Sequence, residues 1–466
     1  MVRRGERIHV IGIAGSGAAG VALLLHRAGV VVDGCDADLP SPYTPPLEAA
    51  GVPLRVAHDP AHLAGVDRVA ISPAVRAVAG HPELQAAQEL GVPVVTWQAL
   101  LGELMAEGGH LGLAVTGTHG KSTTTALLGH LLVAAGMDPT VEVGAYIADW
   151  GASVHPGGGA PFLVEADEFG DNFLNYRPSA AIVTNVEMDH PDYFADESAV
   201  LDSFERFVRQ MLPDPRVGGR LCFVGAGPGA DALVGRLAGW QGRIVRYGPG
   251  GEIAAEAISY GSHGTAFRLF EHRFEMMLAG AHNVLNATAA LALARTLGAP
   301  LDALAAGLRT FVGAGRRMER IADTAGVLIY DDYGHHPTEV RAALDAARQM
   351  VGERRLWAVF EPHMYSRTAL FLDAFAESFR LADEVLIVEI FASRDADTSV
   401  TSAEELADAI ERVSAVPTLA SGDADTTAAY LADHVREGDA VLVMGAGKSY
   451  RVARGLASRL AEGRPA

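Results

Sequence analysis

The densest chemistry in the chain lies in Thr116-Gly117-Thr118-His119-Gly120-Lys121-Ser122-Thr123. A glycine turn that opens a helix presents backbone N–H groups able to cradle anionic oxygens. At this spacing Lys121 can reach terminal phosphates, and the Ser122 hydroxyl can ligate Mg²⁺. The pattern departs from the general G-x-x-x-x-G-K-[ST] because Val115 stands where its first glycine would be. Phosphoryl transfer also needs ligands for Mg²⁺. Two acidic runs, Glu165-Ala166-Asp167-Glu168 and Thr184-Asn185-Val186-Glu187-Met188-Asp189-His190, each follow an apolar, strand-like stretch. Hard oxygen ligands suit Mg²⁺ and histidine is an uncommon partner for it. Ligand chemistry therefore favours Glu168 or Asp167 and leaves His190 open.

Two further clusters carry ionisable groups: Asp331-Asp332-Tyr333-Gly334-His335-His336-Pro337-Thr338-Glu339 and Phe360-Glu361-Pro362-His363-Met364-Tyr365-Ser366-Arg367-Thr368. Both follow strand-like runs, where α/β sheets place their ligands. The adjacent His335 and His336 lack the Cys or acid spacing of a zinc site. With Gly315-Arg316-Arg317 just upstream, these groups suit a cleft for anionic ligands. The N-terminal turn Gly12-Ile13-Ala14-Gly15-Ser16-Gly17 has the same phosphate-cradling logic, with Asp36 about 20 residues on, as a ribose-binding acid would be. Its order is not the regular G-x-G-x-x-G, so a nucleotide-sugar pyrophosphate and a purely structural turn both stay open.

The elements that must position these groups read as strand, turn and helix in alternation. Arg7 to Gly12, Val30 to Asp36, Asp67 to Ser72 and Val92 to Thr96 are strand-like and are separated by helical stretches. The pattern restarts at Leu111 and again at Gly326. This predicts an α/β protein of three domains, 1–107, 108–312 and 313–466, with doubly wound, largely parallel sheets. A chain of 466 residues exceeds a single core. Its formal charge of −20 argues against a general nucleic-acid binder. No apolar run reaches the ~18 residues of a membrane helix. The start leads directly into a strand, which reads against a signal peptide. Cys35 and Cys222 are far apart and give neither a disulfide framework nor metal-ligand spacing. A cytoplasmic protein is expected.

In order along the chain, Gly117 to Thr124, Glu165 to Glu168, Asn185 to His190 and His282-Asn283-Val284-Leu285-Asn286 resemble the motifs of the Mur ligases. The resemblance covers nearly the whole chain. Asp331 to Glu339 resembles the branch of that family that adds L-alanine to UDP-N-acetylmuramate using ATP. It implies a Rossmann-like UDP-sugar domain, a P-loop ATPase-type middle domain and a Rossmann-like C-terminal domain that brings in the amino acid, in a monomer or homodimer. A related branch, the muropeptide-recycling ligase that attaches a preformed peptide, is the alternative. By motif, Gly117, Thr118, His119, Gly120, Lys121, Ser122 and Thr123 would hold ATP phosphates, and His282, Asn283 and Asn286 its adenine. Arg317 and Asp332 would be further ATP contacts. Ser122, Glu168 and His190 would be the Mg²⁺ ligands, so the resemblance raises His190. Gly12, Gly15, Ser16, Gly17, Asp36 and Ser72 would meet the UDP-sugar. Tyr333, His335, His363 and Arg367 would line the amino-acid and acyl side, with His335 or His363 accepting the amine proton. The chain departs from the family at Ala14, Ala18, Met318, Met364 and Lys448. Met364 removes a cation expected to grip the amino-acid carboxylate, and Lys448 is expected to restore it.

Overall fold

The computed structural model describes all residues except 73, 74, 76, 77, 79, 262, 263 and 464–466. It divides into two compact units: residues 1–187, 197–254 and 285–308 form one, and 188–196, 255–284 and 309–466 the other.

The first unit holds two sheets. β1 (Arg7–Ile11), β2 (Val31–Asp36), β3 (Leu54–Val56), β4 (Arg68–Ile71) and β5 (Val94–Thr96) lie in the order β3-β2-β1-β4-β5. Every neighbouring pair is parallel. The order reverses at β1, so the turn after β1 opens at the switch point where such sheets take ligands. That turn runs into the helix Ser16–Arg27, whose residues Gly17 to Leu25 are buried. The second sheet follows the order β12-β11-β10-β6-β9-β7-β8. Its strands are β6 (Leu111–Thr116), β7 (Thr140–Ile147), β8 (Ala152–His155), β9 (Pro161–Glu165), β10 (Ala180–Val183), β11 (Leu221–Val224) and β12 (Arg243–Arg246). Only the edge strand β8 pairs antiparallel. β6 is central and wholly buried, as a strand covered on both faces must be, and this explains its unbroken apolar run.

The second unit contains an antiparallel meander, β13 (Glu256–Gly261), β14 (Gly264–Leu269) and β15 (His272–Met276). Its six-stranded sheet uses β16 (Glu319–Thr324), β17 (Val327–Asp332), β18 (Leu356–Phe360), β19 (Glu384–Val388), β20 (Thr418–Gly422) and β21 (Ala440–Met444), in the order β16-β17-β21-β18-β19-β20. Alternation along the strands splits their side chains between two cores. Tyr330, Phe360, Leu442 and Met444 face one, where Phe375 and Phe379 join them. Ile329, Trp357, Val359 and Val443 face the other. Each buried aromatic or aliphatic side chain contributes about 1.5–3 kcal/mol by leaving water, so both faces of this sheet anchor the loops at its strand ends. The expected α/β architecture with Rossmann-like outer sheets and a P-loop-type middle sheet is present. Among the described residues no helix is long and apolar enough to cross a membrane.

Candidate active site

In the first unit, β6 delivers the chain into the phosphate-binding turn. Gly117 takes φ +130°, and a Cβ there would overlap Thr184 Oγ1. Gly120 takes φ +81°, and a Cβ would sit 2.8 Å from Asn286 Oδ1. Both positions therefore require glycine. The turn is tied down from β10 and the loop after it. Thr184 Oγ1 donates to the carbonyl of His119 at 2.6 Å. Asn185 accepts from the N–H of His119 at 2.8 Å and donates to its carbonyl at 3.0 Å. Thr118 Oγ1 accepts from the N–H of Glu187 at 2.9 Å. The helix Lys121–Ala134 then starts with Gly120 as its N-terminal cap and no capping side chain, which leaves its first N–H groups available for an anion.

Lys121 folds back over this turn. Its ammonium donates to the carbonyls of Gly117 at 2.8 Å and Thr118 at 3.2 Å, and to Glu168 Oε2 at 2.8 Å. Burial works against its charge, but Glu168, Asp167 and Glu165 hold the ammonium well above the ordinary lysine range. Burial pushes the Glu168 carboxyl up to about 7 even though the Lys121 charge pulls it down. Glu168 is 2% exposed, and its Oε1 is buried with no hydrogen-bond partner. Ser122 Oγ donates to Glu165 Oε1 at 2.8 Å. The fold thus joins Lys121, Ser122, Glu165 and Glu168 in one cluster, and residue chemistry alone had singled out Glu168 or Asp167. Asp167 is more peripheral, 3.7 Å from the Lys121 ammonium.

The N-terminal turn is held by its own strands. The N–H groups of Gly12 and Ile13 donate to the carbonyl of Cys35, and the N–H of Ala14 to Asp36 Oδ2 at 3.1 Å. Asp36 is therefore the anchor of this loop. Gly17 packs under the indole of Trp97, where any Cβ would collide with the ring. Ser72 Oγ accepts weakly from the N–H of Val75 at 3.4 Å.

In the second unit, β17 and β18 end in two facing clusters. Both Asp332 oxygens are engaged, accepting from the N–H groups of Met318 and Gly334 at 2.8 Å each. Asp332 thereby clamps the Arg317 loop to the strand end. Arg316 is built into the fold, donating to Asp331, to the carbonyl of Gly445 and to Ser449. The Arg317 guanidinium lies 5.0 Å from the centroid of Tyr333 and is the more available of the two cations. His336 caps the helix Pro337–Val351 in a reciprocal capping box with Glu339, so its role is to start that helix.

His335 and His363 stand with ring centroids 5.7 Å apart. Burial lowers His335 to about 4 and His363 to about 2, the latter further depressed by His335 and Arg367. Both rings are neutral near pH 7. His335 Nδ1 lies 3.0 Å from the carbonyl of Tyr333 and therefore carries a proton there, which leaves Nε2 as the open acceptor. His363 Nδ1 accepts from Arg367 at 3.0 Å, so its remaining nitrogen is protonated. Arg367 is 1% exposed. It donates through Nε and Nη2 to Asp189 Oδ1 at 2.9 and 2.8 Å, and Nη2 lies 3.5 Å from His190 Nδ1. Burial would raise Asp189, but Arg367 above all holds it well below the usual carboxylate range. His190 itself takes φ +54°, a conformation uncommon for a residue with a Cβ. His282 is lowered to about 4 by burial, and Asn283 Nδ2 donates to the carbonyl of Ala279 at 2.7 Å at the start of the helix Ala281–Thr296.

Met364 is buried at φ +73°, and the Arg394 guanidinium reaches its sulfur at 3.8 Å while donating to Asp192 at 2.8 Å. Lys448 is exposed, and its backbone N–H donates to Glu361 at 2.9 Å. The cation beside Met364 is thus Arg394, which sequence reasoning missed because 30 residues of chain separate the two. Its only sequence signal was a charged run, Ser393-Arg394-Asp395, after a strand.

Three stretches match Mur ligase families: residues 7–108 the Mur ligase family, catalytic domain; residues 162–294 the Mur ligase middle domain; and residues 316–447 the Mur ligase, glutamate ligase domain. A UDP-N-acetylmuramate–L-alanine ligase of Mycolicibacterium vanbaalenii is 39% identical over 87% of each chain. One of Kineococcus radiotolerans is 41% identical over 86% of this chain and 85% of its own. Among solved structures, the UDP-N-acetylmuramate-alanine ligase of Thermotoga maritima superposes with a TM-score of 0.81 at 25% identity, over 98% of this chain and all of its own. A murein peptide ligase of Psychrobacter arcticus gives 0.70 at 27%, over 99% of this chain and all of its own.

Proposed function

The chain belongs to the Mur ligase family, and we propose that it is the member that uses ATP to join L-alanine to UDP-N-acetylmuramate in peptidoglycan synthesis. The observation that carries this is the phosphate-binding turn, where a partly buried lysine and a buried glutamate with one unpartnered oxygen stand at a helix start. The relatives that are 39–41% identical and carry the alanine ligase name favour this branch over the peptide-recycling one. We assign residues 1–107 to the UDP-sugar, 108–312 to ATP and 313–466 to the amino acid, in a cytoplasmic enzyme.

An amide forms from a carboxylate only after its oxygen becomes a leaving group. The muramate carboxylate attacks the ATP γ-phosphorus, ADP departs, and an acyl phosphate results. The alanine amine then attacks the acyl carbon, and phosphate leaves as the amide forms. Both steps build negative charge, which Lys121, the N–H groups of the Gly117–Ser122 turn and Arg317 stabilise. The amine must lose a proton, and His335 Nε2 is the better acceptor because His363 is committed to Arg367. The unpartnered Glu168 oxygen and the Ser122 hydroxyl fit a hard divalent cation. Mg²⁺ held there would neutralise phosphate charge. His190 is proposed as a third ligand on its motif alone. The turn after β1, with Gly12, Gly15, Ser16, Gly17, Asp36 and Ser72, is assigned to the UDP-sugar. His282, Asn283 and Asn286 are assigned to adenine, Asp332 to positioning Arg317, and Tyr333, His363 and Arg367 to the acyl side. Arg394 replaces Lys448 as the cation for the amino-acid carboxylate.

The test supplies ATP, Mg²⁺ and UDP-N-acetylmuramate with either L-alanine or a preformed peptide, and reads product mass. A product heavier by one alanyl residue is expected. A product formed only with the peptide would move the chain to the recycling branch.

A further inference from the structure

A second cluster of ligating groups lies in the first sheet, among groups that the ligase reaction leaves unused. His9 on β1, Cys35 on β2, His62 in the turn Pro60–Leu63 and Glu83 in the helix Pro82–Leu90 each direct one ligating atom inward, and these four atoms all lie within 4.8 Å of one another. His9, Cys35 and Glu83 are fully buried, and the His62 side chain is 14% exposed. His9 Nε2 stands 3.3 Å from Cys35 Sγ and 3.3 Å from Glu83 Oε1. Cys35 Sγ is 3.1 Å from Glu83 Oε2, and His62 Nδ1 is 2.7 Å from Glu83 Oε1. In a tetrahedral zinc site with Zn–S near 2.3 Å and Zn–N near 2.0 Å, neighbouring ligand atoms lie roughly 3.5 Å apart. These contacts, 2.7–3.3 Å, are shorter than that, so the four groups would part by a few tenths of an ångström to admit the ion.

We propose that His9, Cys35, His62 and Glu83 form a closed, structural zinc site inside the N-terminal sheet. Three observations support it. A thiolate, a carboxylate and two neutral imidazoles balance the charge of Zn²⁺, so the filled site buries no net charge. His9 Nδ1 bonds Asp33 Oδ1 at 2.7 Å, and Arg55 in turn holds Asp33 Oδ2 at 2.9 Å. This carboxylate partner fixes the ring so that Nε2 points into the cluster, the arrangement that orients metal-bound histidines. Beside the four, His81 is 5% exposed with both ring nitrogens unpartnered, and its ring lies tilted against that of His58 with centroids 4.5 Å apart. His58 Nδ1 itself lies 3.2 Å from both Cys35 Sγ and Glu83 Oε2. Three imidazoles, those of His9, His58 and His62, thus meet one thiol and one carboxylate. With four protein ligands the site leaves no position for substrate, so its role is to pin β1, β2 and the helix Pro82–Leu90 together beneath the turn after β1.

The experiment uses untagged full-length protein, purified without chelators, and measures metal content by mass spectrometry. About one zinc per chain is expected, with apoprotein taking up Co²⁺ to give the thiolate charge-transfer and tetrahedral d–d bands of such a site. Cys35→Ser should abolish the charge-transfer band, and His62→Asn, at the most exposed ligand, should lower affinity in a chain whose circular dichroism is unchanged. Asp33→Asn, which removes only the orienting carboxylate, should weaken zinc binding about 10–100-fold. Protein that carries no zinc and takes up neither Zn²⁺ nor Co²⁺ would overturn the proposal, as would uptake indifferent to both Cys35→Ser and His62→Asn.

Discussion

Removing the Lys121 ammonium should have two separable consequences, because that one group makes a structural ion pair and faces the phosphate site. At 2.8 Å from Glu168 Oε2 its attraction to a carboxylate is about 6 kcal/mol at an effective dielectric constant of 20. Desolvation of a buried carboxylate and a partly buried ammonium offsets most of this, so the pair adds little net stability. The asymmetry lies in breaking it. Lys121→Ala removes the charge that favours ionised Glu168, so this carboxyl, 2% exposed and already lifted to about 7, takes up a proton and the cost should be about 1–3 kcal/mol. Glu168→Gln alone strands the ammonium and should cost a similar amount. The double variant strands neither charge, so a cycle of the four proteins in urea should give an interaction energy of about 2 kcal/mol or more. Activity should behave differently. Losing one preorganised cation at a developing phosphate charge costs about 10²–10³ in turnover, and no change at Glu168 returns it. The double variant should therefore recover folding and still release phosphate from ATP, UDP-N-acetylmuramate and L-alanine at a small fraction of the wild-type rate. Additive stabilities would refute the buried-pair argument. Near-normal turnover by the refolded double variant would refute the phosphate role of Lys121.

Gly120→Ala places a Cβ 2.8 Å from Asn286 Oδ1 at φ +81°; the left-handed backbone alone costs about 1–2 kcal/mol. ATP titrations should show binding weaker by about tenfold. Arg394→Ala should raise the KM for L-alanine by about tenfold or more, while Lys448→Ala leaves it unchanged; the reverse ranking in steady-state assays would return the role to Lys448. Burial, opposed by Arg316, lifts Asp331 from an ordinary carboxyl to about 6. The folded state thus holds this proton more tightly than the unfolded chain, and the stability it brings is complete below about pH 4 and lost as pH rises through 6. The unfolding free energy of wild type from urea titrations should fall across that window relative to Asp331→Asn, by on the order of 3 kcal/mol, and parallel profiles would remove Asp331 as the cause.

The order of strand, turn and helix was legible because it is local: period, glycine position and apolar runs are properties of short stretches. The same holds for the Gly117–Ser122 turn, whose backbone geometry depends on adjacent residues, and for the family resemblance carried by contiguous motifs. Asp36 and Asp332 show the limit. Their types and places at strand ends were legible, but that their carboxylates accept from the backbone of neighbouring turns was not, because which buried N–H lies nearest is set by packing. The choice between His335 and His363 also needed the fold, since the proton position on each ring is set by partners that only packing supplies. Arg394 reaches Met364 by a return of the chain that no spacing foretells. Cys35 is the clearest case. By sequence it is a lone thiol without ligand spacing. Parallel strand pairing sets β1 beside β2, and the helix Pro82–Leu90 packs its buried Glu83 against them, so His9, Cys35, His62 and Glu83 meet from four separate elements. Side chains that converge through sheet register leave no trace in linear order, and only the tertiary structure decides them.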